Sequence, residues 1–124
     1  MLRTELYAFL DQRLAPDIGA GRVFAGVCRD LEAIAVLYSL EPEERRDTVQ
    51  TARLRLRVFS PQLDRAAEVC ADAAALFDCA CTGGAVLIGG YAVLGSFESG
   101  AVQYVKELER YEASATLRLV YYER

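Results

Sequence analysis

The chain has 124 residues, 53% hydrophobic and 26% charged, with a formal net charge of −4. That length suits a single domain over residues 1–124, and the composition excludes a disordered or collagen-like chain. Histidine and tryptophan are both absent, so Ser-His-Asp and Cys-His catalysis and histidine metal sites are excluded as well.

The first predicted element is an amphipathic helix. Leu2, Leu6, Phe9, Leu10 and Leu14 recur at helical spacing, Glu5, Gln12 and Arg13 suit the wet side, and Ala15-Pro16 is expected to stop it. Residues 17–22 read as a loop, and residues 23–28 as a short apolar piece, strand or ordered loop. Residues 31–40 (LEAIAVLYSL) favour a strand over a helix, because Ile34, Val36 and Tyr38 share one side. The other side, with Ala33, Ala35 and Leu37, is also apolar, so cover on both faces is expected. Residues 41–47 (EPEERRD) read as a charged loop or a flexible hairpin tip. In residues 48–59, Leu54, Leu56 and Val58 alternate with Arg53, Arg55 and Arg57. Period two means a strand with one apolar and one wet face.

Ser60 and Pro61 supply an N-cap and a first helical position. The stripe Leu63, Ala66, Ala67, Cys70, Ala73, Ala74 and Phe77 predicts a helix to about Cys79, ended by Gly83-Gly84. Residues 86–97 read as one strand bent at Gly89-Gly90, residues 98–100 as a turn, and residues 101–108 as a short strand or loop. Residues 110–122 read as a long strand. Ala113, Ala115, Leu117, Leu119 and Tyr121 share one of its faces; Ser114, Thr116, Arg118, Val120 and Tyr122 share the other. The predicted fold is α+β, with two helices packed on one face of a mainly antiparallel sheet. The order is α-β-β-α-β-β, with room for small extra strands.

The chemistry searched for gives no catalytic, metal or cofactor-binding set. Cys28, Cys70, Cys79 and Cys81 lack the paired CxxC spacing of a zinc site, and Cys70 falls mid-helix on the packed face. Cys79 and Cys81 are expected near a helix C-terminus, where the dipole disfavours a thiolate. The glycine pairs match no phosphate-loop pattern. Scattered, outnumbered basic residues argue against sequence-specific DNA binding. There is no signal peptide and no apolar run of membrane-spanning length, so a cytosolic chain with reduced thiols is expected.

What remains is the arginine row Arg53, Arg55 and Arg57, with Arg118 on a nearby strand and Tyr121 and Tyr122 beyond it. Arg and Tyr dominate protein interfaces. The same row also fits an ordinary wet sheet face whose charge blocks unwanted strand pairing. With helices on one side only, the arginine face would be half polar and uncovered, as a subunit contact is.

The N-terminal helix, the strand AIAVLYSL, a charged loop, the strand ending LRVFSP, an alanine-rich helix and the closing strand RYEASATLRLVYYE follow one another over residues 2–123. In that order the chain resembles the tail terminator or tail-completion proteins of long-tailed bacteriophages, also called minor capsid proteins. The resemblance implies a non-enzymatic homo-oligomer, usually a ring of six subunits, that caps the tail tube and joins it to the head. It implies tail-tube and neck proteins as partners, DNA only as passing cargo, and no membrane or cofactor. It also implies a place in the host cytoplasm during assembly, then in the virion tail or neck. Arg53, Arg55, Arg57, Arg118, Tyr121 and Tyr122 are the candidate oligomer or tube interface. Glu43, Glu44, Arg45, Arg46 and Asp47 are the candidate assembly loop. A head–tail connector of similar fold and a small ligand-binding or thiol-enzyme domain are the alternatives.

Overall fold

The computed structural model of the chain describes residues 2–26 and 33–124. The helix α1 (Leu2–Ile18) buries Leu2, Leu6, Phe9, Leu10 and Leu14, the stripe expected from spacing. It does not stop at Ala15-Pro16. Pro16 sits in the last turn, and the helix closes when the Gly19 N–H donates to the Ala15 carbonyl at 2.8 Å. Gly19 has φ 90, the left-handed geometry that ends helices cheaply in glycine.

A short strand β1 (Val23–Ala25) follows; Cys28 and the start of the predicted strand at Leu31 lie outside the described residues. The strands β2 (Ala35–Arg46) and β3 (Val49–Ser60) form one long hairpin. The predicted charged loop is therefore corrected: residues 41–46 are strand, and only Asp47 and Thr48 form the turn, Asp47 with φ 55. Pairing with residues 49–53 overrides the weak strand preference of Glu and Pro, and an irregularity between Pro42 and Glu44 absorbs the proline.

Ser60 is not the N-cap of the second helix. It ends β3, buried, and its Oγ accepts from the Gln62 N–H at 3.1 Å, so α2 (Leu63–Ala75) starts after Gln62. This helix ends before Cys79. Asp78 then caps a separate turn α3 (Cys79–Thr82) by accepting from the Ala80 N–H at 3.1 Å, and Gly83 closes it at φ 78. Cys79 and Cys81 thus lie in that turn, beyond the end of α2.

The stretch predicted as one bent strand is two, β4 (Val86–Ile88) and β5 (Tyr91–Val105), joined at Gly89-Gly90 with Gly89 at φ 58. The predicted turn at residues 98–100 is a bulge inside β5, between Phe97 and Ser99. The last strand is β6 (Arg110–Glu123). Among the described residues the sheet has six strands in the order β1-β2-β3-β6-β5-β4, and only β1 pairs parallel to its neighbour.

One hydrophobic cluster joins the α1 stripe, Ala66, Val69, Cys70, Ala73 and Ala74 of α2, and Leu54, Leu56, Val58, Leu117 and Leu119 of the sheet. Phe77 is 1% exposed and its ring lies 5.5 Å from that of Phe9. A second, small cluster occupies the arginine side of the sheet: Ala35, Leu37 and Phe59 are buried there with Phe24 and Val105 against them. That side is therefore covered at one end, as the apolar second face of residues 33–39 required.

Candidate functional site

Arg53, Arg55 and Arg57 lie on one side of β3, as their alternation dictates. Directly across β6 stand Arg118, Thr116 and Ser114, and across β5 from these stand Ser96, Ser99 and Ala101. Small side chains floor the middle of this face, leaving a concavity of about 480 Å³ bordered by Glu41, Arg53 and Arg55.

The arginines are not equivalent. The Arg53 Nε donates to Glu98 at 3.1 Å, with Glu43 at 4.0 Å. The hydrogen bond to Glu98, helped by the charge of Glu43, holds the Arg53 guanidinium above its ordinary pKa. Glu98 comes from the β5 bulge, which supplies a carboxylate to Arg53, a cation set directly opposite a second one, Arg118. The Arg57 Nε donates to Glu112 at 2.9 Å; the second Glu112 oxygen accepts from Gln103 at 3.1 Å, and the Arg57 guanidinium lies 5.1 Å from the Phe59 ring centre. Glu112 is 6% exposed, so Arg57 neutralises a buried carboxylate. Arg55 and Arg118 make no ion pair or hydrogen bond with the described residues.

Tyr121 is corrected. It is buried on the helix side, edge-on to Tyr91 with ring centres 5.9 Å apart, and its hydroxyl donates to Gln50 at 3.4 Å. Burial raises its pKa. Period two places neighbours on opposite faces, so Tyr121 and Tyr122 could not both serve one surface. Tyr122 is on the arginine side and exposed, and the register brings it beside residues the sequence reading missed. Val49 stands opposite Tyr122, Leu94 opposite Val120, and Leu87 lies in the Tyr122 row through Ala92. Val49, Leu87, Leu94 and Tyr122 are all exposed. They form an apolar strip next to Arg118, drawn from distant parts of the chain.

Glu43, Glu44, Arg45, Arg46 and Asp47 form a hairpin arm rather than a loose loop. Arg46 donates to Glu44 at 2.7 Å, and Arg45 donates to the Asp47 carbonyl at 3.4 Å. Elsewhere, the exposed carboxylates of Asp17, Glu68 and Asp72 lie within 4.8 Å of one another. Arg65 stands among them, donating to Asp17 at 2.8 Å and to Glu68 at 3.4 Å, and the bond to Asp17 raises its pKa. That cluster has its own cation.

The described cysteines are free thiols: Cys70 buried, Cys79 half-buried and Cys81 exposed. Burial pushes the Cys70 thiol up to about 11 from 9.0. Native-state labelling at neutral pH is expected to modify Cys81 readily and Cys70 only as fast as the fold opens. The unfolded thiol ionises near 9.0 while the folded one holds its proton to about 11. Stability therefore falls as pH rises across that window, because the unfolded chain releases the proton first. Cys70→Ala is expected to flatten this part of a stability–pH profile; an unchanged slope would refute the assignment. No described helix is long and apolar enough to cross a membrane.

No family description and no curated protein matches the sequence. Solved structures do share the fold. A protein identified only by a sequence number superposes with TM-score 0.62 at 18% identity, over 99% of this chain and 93% of that one. A chain from the virion of a native gene transfer agent particle superposes with TM-score 0.55 at 11% identity, over 95% of this chain and 93% of that one.

Proposed function

We propose that the chain is a structural virion protein without catalytic activity. Its subunits assemble into a ring at the junction of tail and head, in the manner of a tail terminator. The observation that carries this reading is the exposed part of the arginine face, where an apolar strip adjoins Arg118, and Arg118 and the nearby Arg55 have no partner among the described residues. Apolar centres with Arg and Tyr are what subunit contacts use. The fold shared with a gene transfer agent virion chain supports the same direction. In this reading the face packs against a different surface of the next copy, and such heterologous contacts close into a ring by rotation. The hairpin arm of β2 and β3 reaches toward the tube or neck, and the net charge of −4 suits a channel that DNA passes without sticking.

Negative-stain imaging of the purified protein mixed with tail tubes tests it. Rings seated on one tube end are the expected result. Binding to the head vertex instead of the tube would favour a connector role, and no binding to either would refute the proposal.

A further inference from the structure

The sheet has a second open feature, the outer border of β5. The strand β4 covers it only at residues 91–93, and one bridge joins Asp78 to Gly95. Among the described residues, no strand pairs the outer side of residues 96–105. Such a border offers a row of N–H and C=O groups to another strand, and proteins guard it with charge, proline, bulges or shortness. The open border of β2 has all but the last of these: Pro42, the irregularity beside it, and Glu41, Glu43, Glu44, Arg45 and Arg46. The strands β1 and β4 are short, three residues each. Beyond its bulge, β5 has no such guard, for residues 99–105 (SGAVQYV) contain no charge and no proline. Val102 and Tyr104, on the helix side, are 49% and 52% exposed. Beside them an apolar groove of about 440 Å³ runs between α2 and the sheet, walled by Ala67, Ala71, Ala74 and Phe97.

We propose that β5 is the self-association strand of the free chain. Residues 100–106 of two copies pair antiparallel about a two-fold axis at Gln103, joining two sheets into one. Among the described residues the other sheet borders are short or guarded; β5 itself has the length, neutrality and apolar alternation that a partner strand needs. Centred on Gln103, the pairing sets Val102 opposite Tyr104 of the second copy on the groove side. At the ends of the same side Lys106 meets Gly100; on the other side Gln103 meets Gln103 and Ala101 meets Val105, so no like charges are opposed. This contact belongs to the chain away from tail tubes and does not rest on the arginine face.

Sedimentation of the full chain without tubes, at micromolar concentration, is expected to give twice the 13.7 kDa chain mass. The V102K/Y104K variant is expected to sediment as a monomer. Both side chains are exposed, so its far-UV circular dichroism should match the wild type. Hydrogen exchange gives an independent readout: amides in residues 99–105 that β6 leaves unbonded should exchange about tenfold faster in the variant. A wild-type monomer with rapid exchange there overturns the proposal. So does a dimer that survives V102K/Y104K, or protection that appears only on binding a foreign strand. Loss of tube capping with the dimer intact would count against the ring reading and leave this one standing.

Discussion

Phe77→Ala is expected to lower the unfolding free energy by about 3–5 kcal/mol, the range for deleting a buried aromatic ring. Phe77 is 1% exposed between α2 and α3, and its ring meets Phe9 of α1. Its carbonyl also lies against Gly95 of β5, where a Cβ would collide with the carbonyl oxygen. One residue thus ties α1 and the α2–α3 junction to a strand, and truncation leaves a cavity that the clamped backbone cannot close. A domain of this size has about 5–15 kcal/mol of stability in all. The melting temperature should therefore fall by roughly 10–20 °C. Calorimetry or thermal circular dichroism reads this directly, and a fall of only a few degrees would show that the site collapses freely.

Changing Arg55 and Arg118 together to serine is expected to abolish assembly onto tail tubes while leaving the monomer folded. Neither side chain has a partner among the described residues, so folding loses little, within about 0.5 kcal/mol for open surface positions. Arg118 even stands opposite Arg53, and its removal relieves repulsion. Arg57→Ser is the instructive contrast. It strands the buried Glu112 carboxylate and should cost about 1–3 kcal/mol, so lost assembly in that variant would not separate contact from fold. The decisive measurement pairs tube capping with a melting curve for each protein. Normal capping by the Arg55/Arg118 variant would refute the role given to this face.

Much of this architecture was readable from local pattern. Leu54, Leu56 and Val58 alternating with arginine could only be a half-wet strand, and the α1 stripe could only be a helix face. The misread strand segments share one cause: partner strands decide what a weak local signal becomes. Residues 41–46 look like a loop because Glu and Pro disfavour strands, yet β3 holds them extended. Glu98, Ser99 and Gly100 look like a turn, yet β6 carries the ladder past them and leaves a bulge. The candidate face shows the same division. Its arginine row follows from period two alone. The pairing of Arg57 with Glu112, and the strip of Val49, Leu87, Leu94 and Tyr122, depend on register between segments far apart in sequence. Tyr121 was within reach, since its own alternation already placed it with the core.

The position of β6 has a consequence for how the protein is made. It is the last strand in order, yet it lies between β3 and β5 and pairs with both along nearly its whole length. During synthesis the β2–β3 hairpin can form early, but its inner border must wait about 50 residues or more for its mate. Until then the growing chain shows an apolar, unpaired ladder to the cell, a state that invites aggregation or chaperone capture. Completion of the sheet therefore follows emergence of β6 from the ribosome, and premature association of half-made subunits is the hazard this topology must outrun.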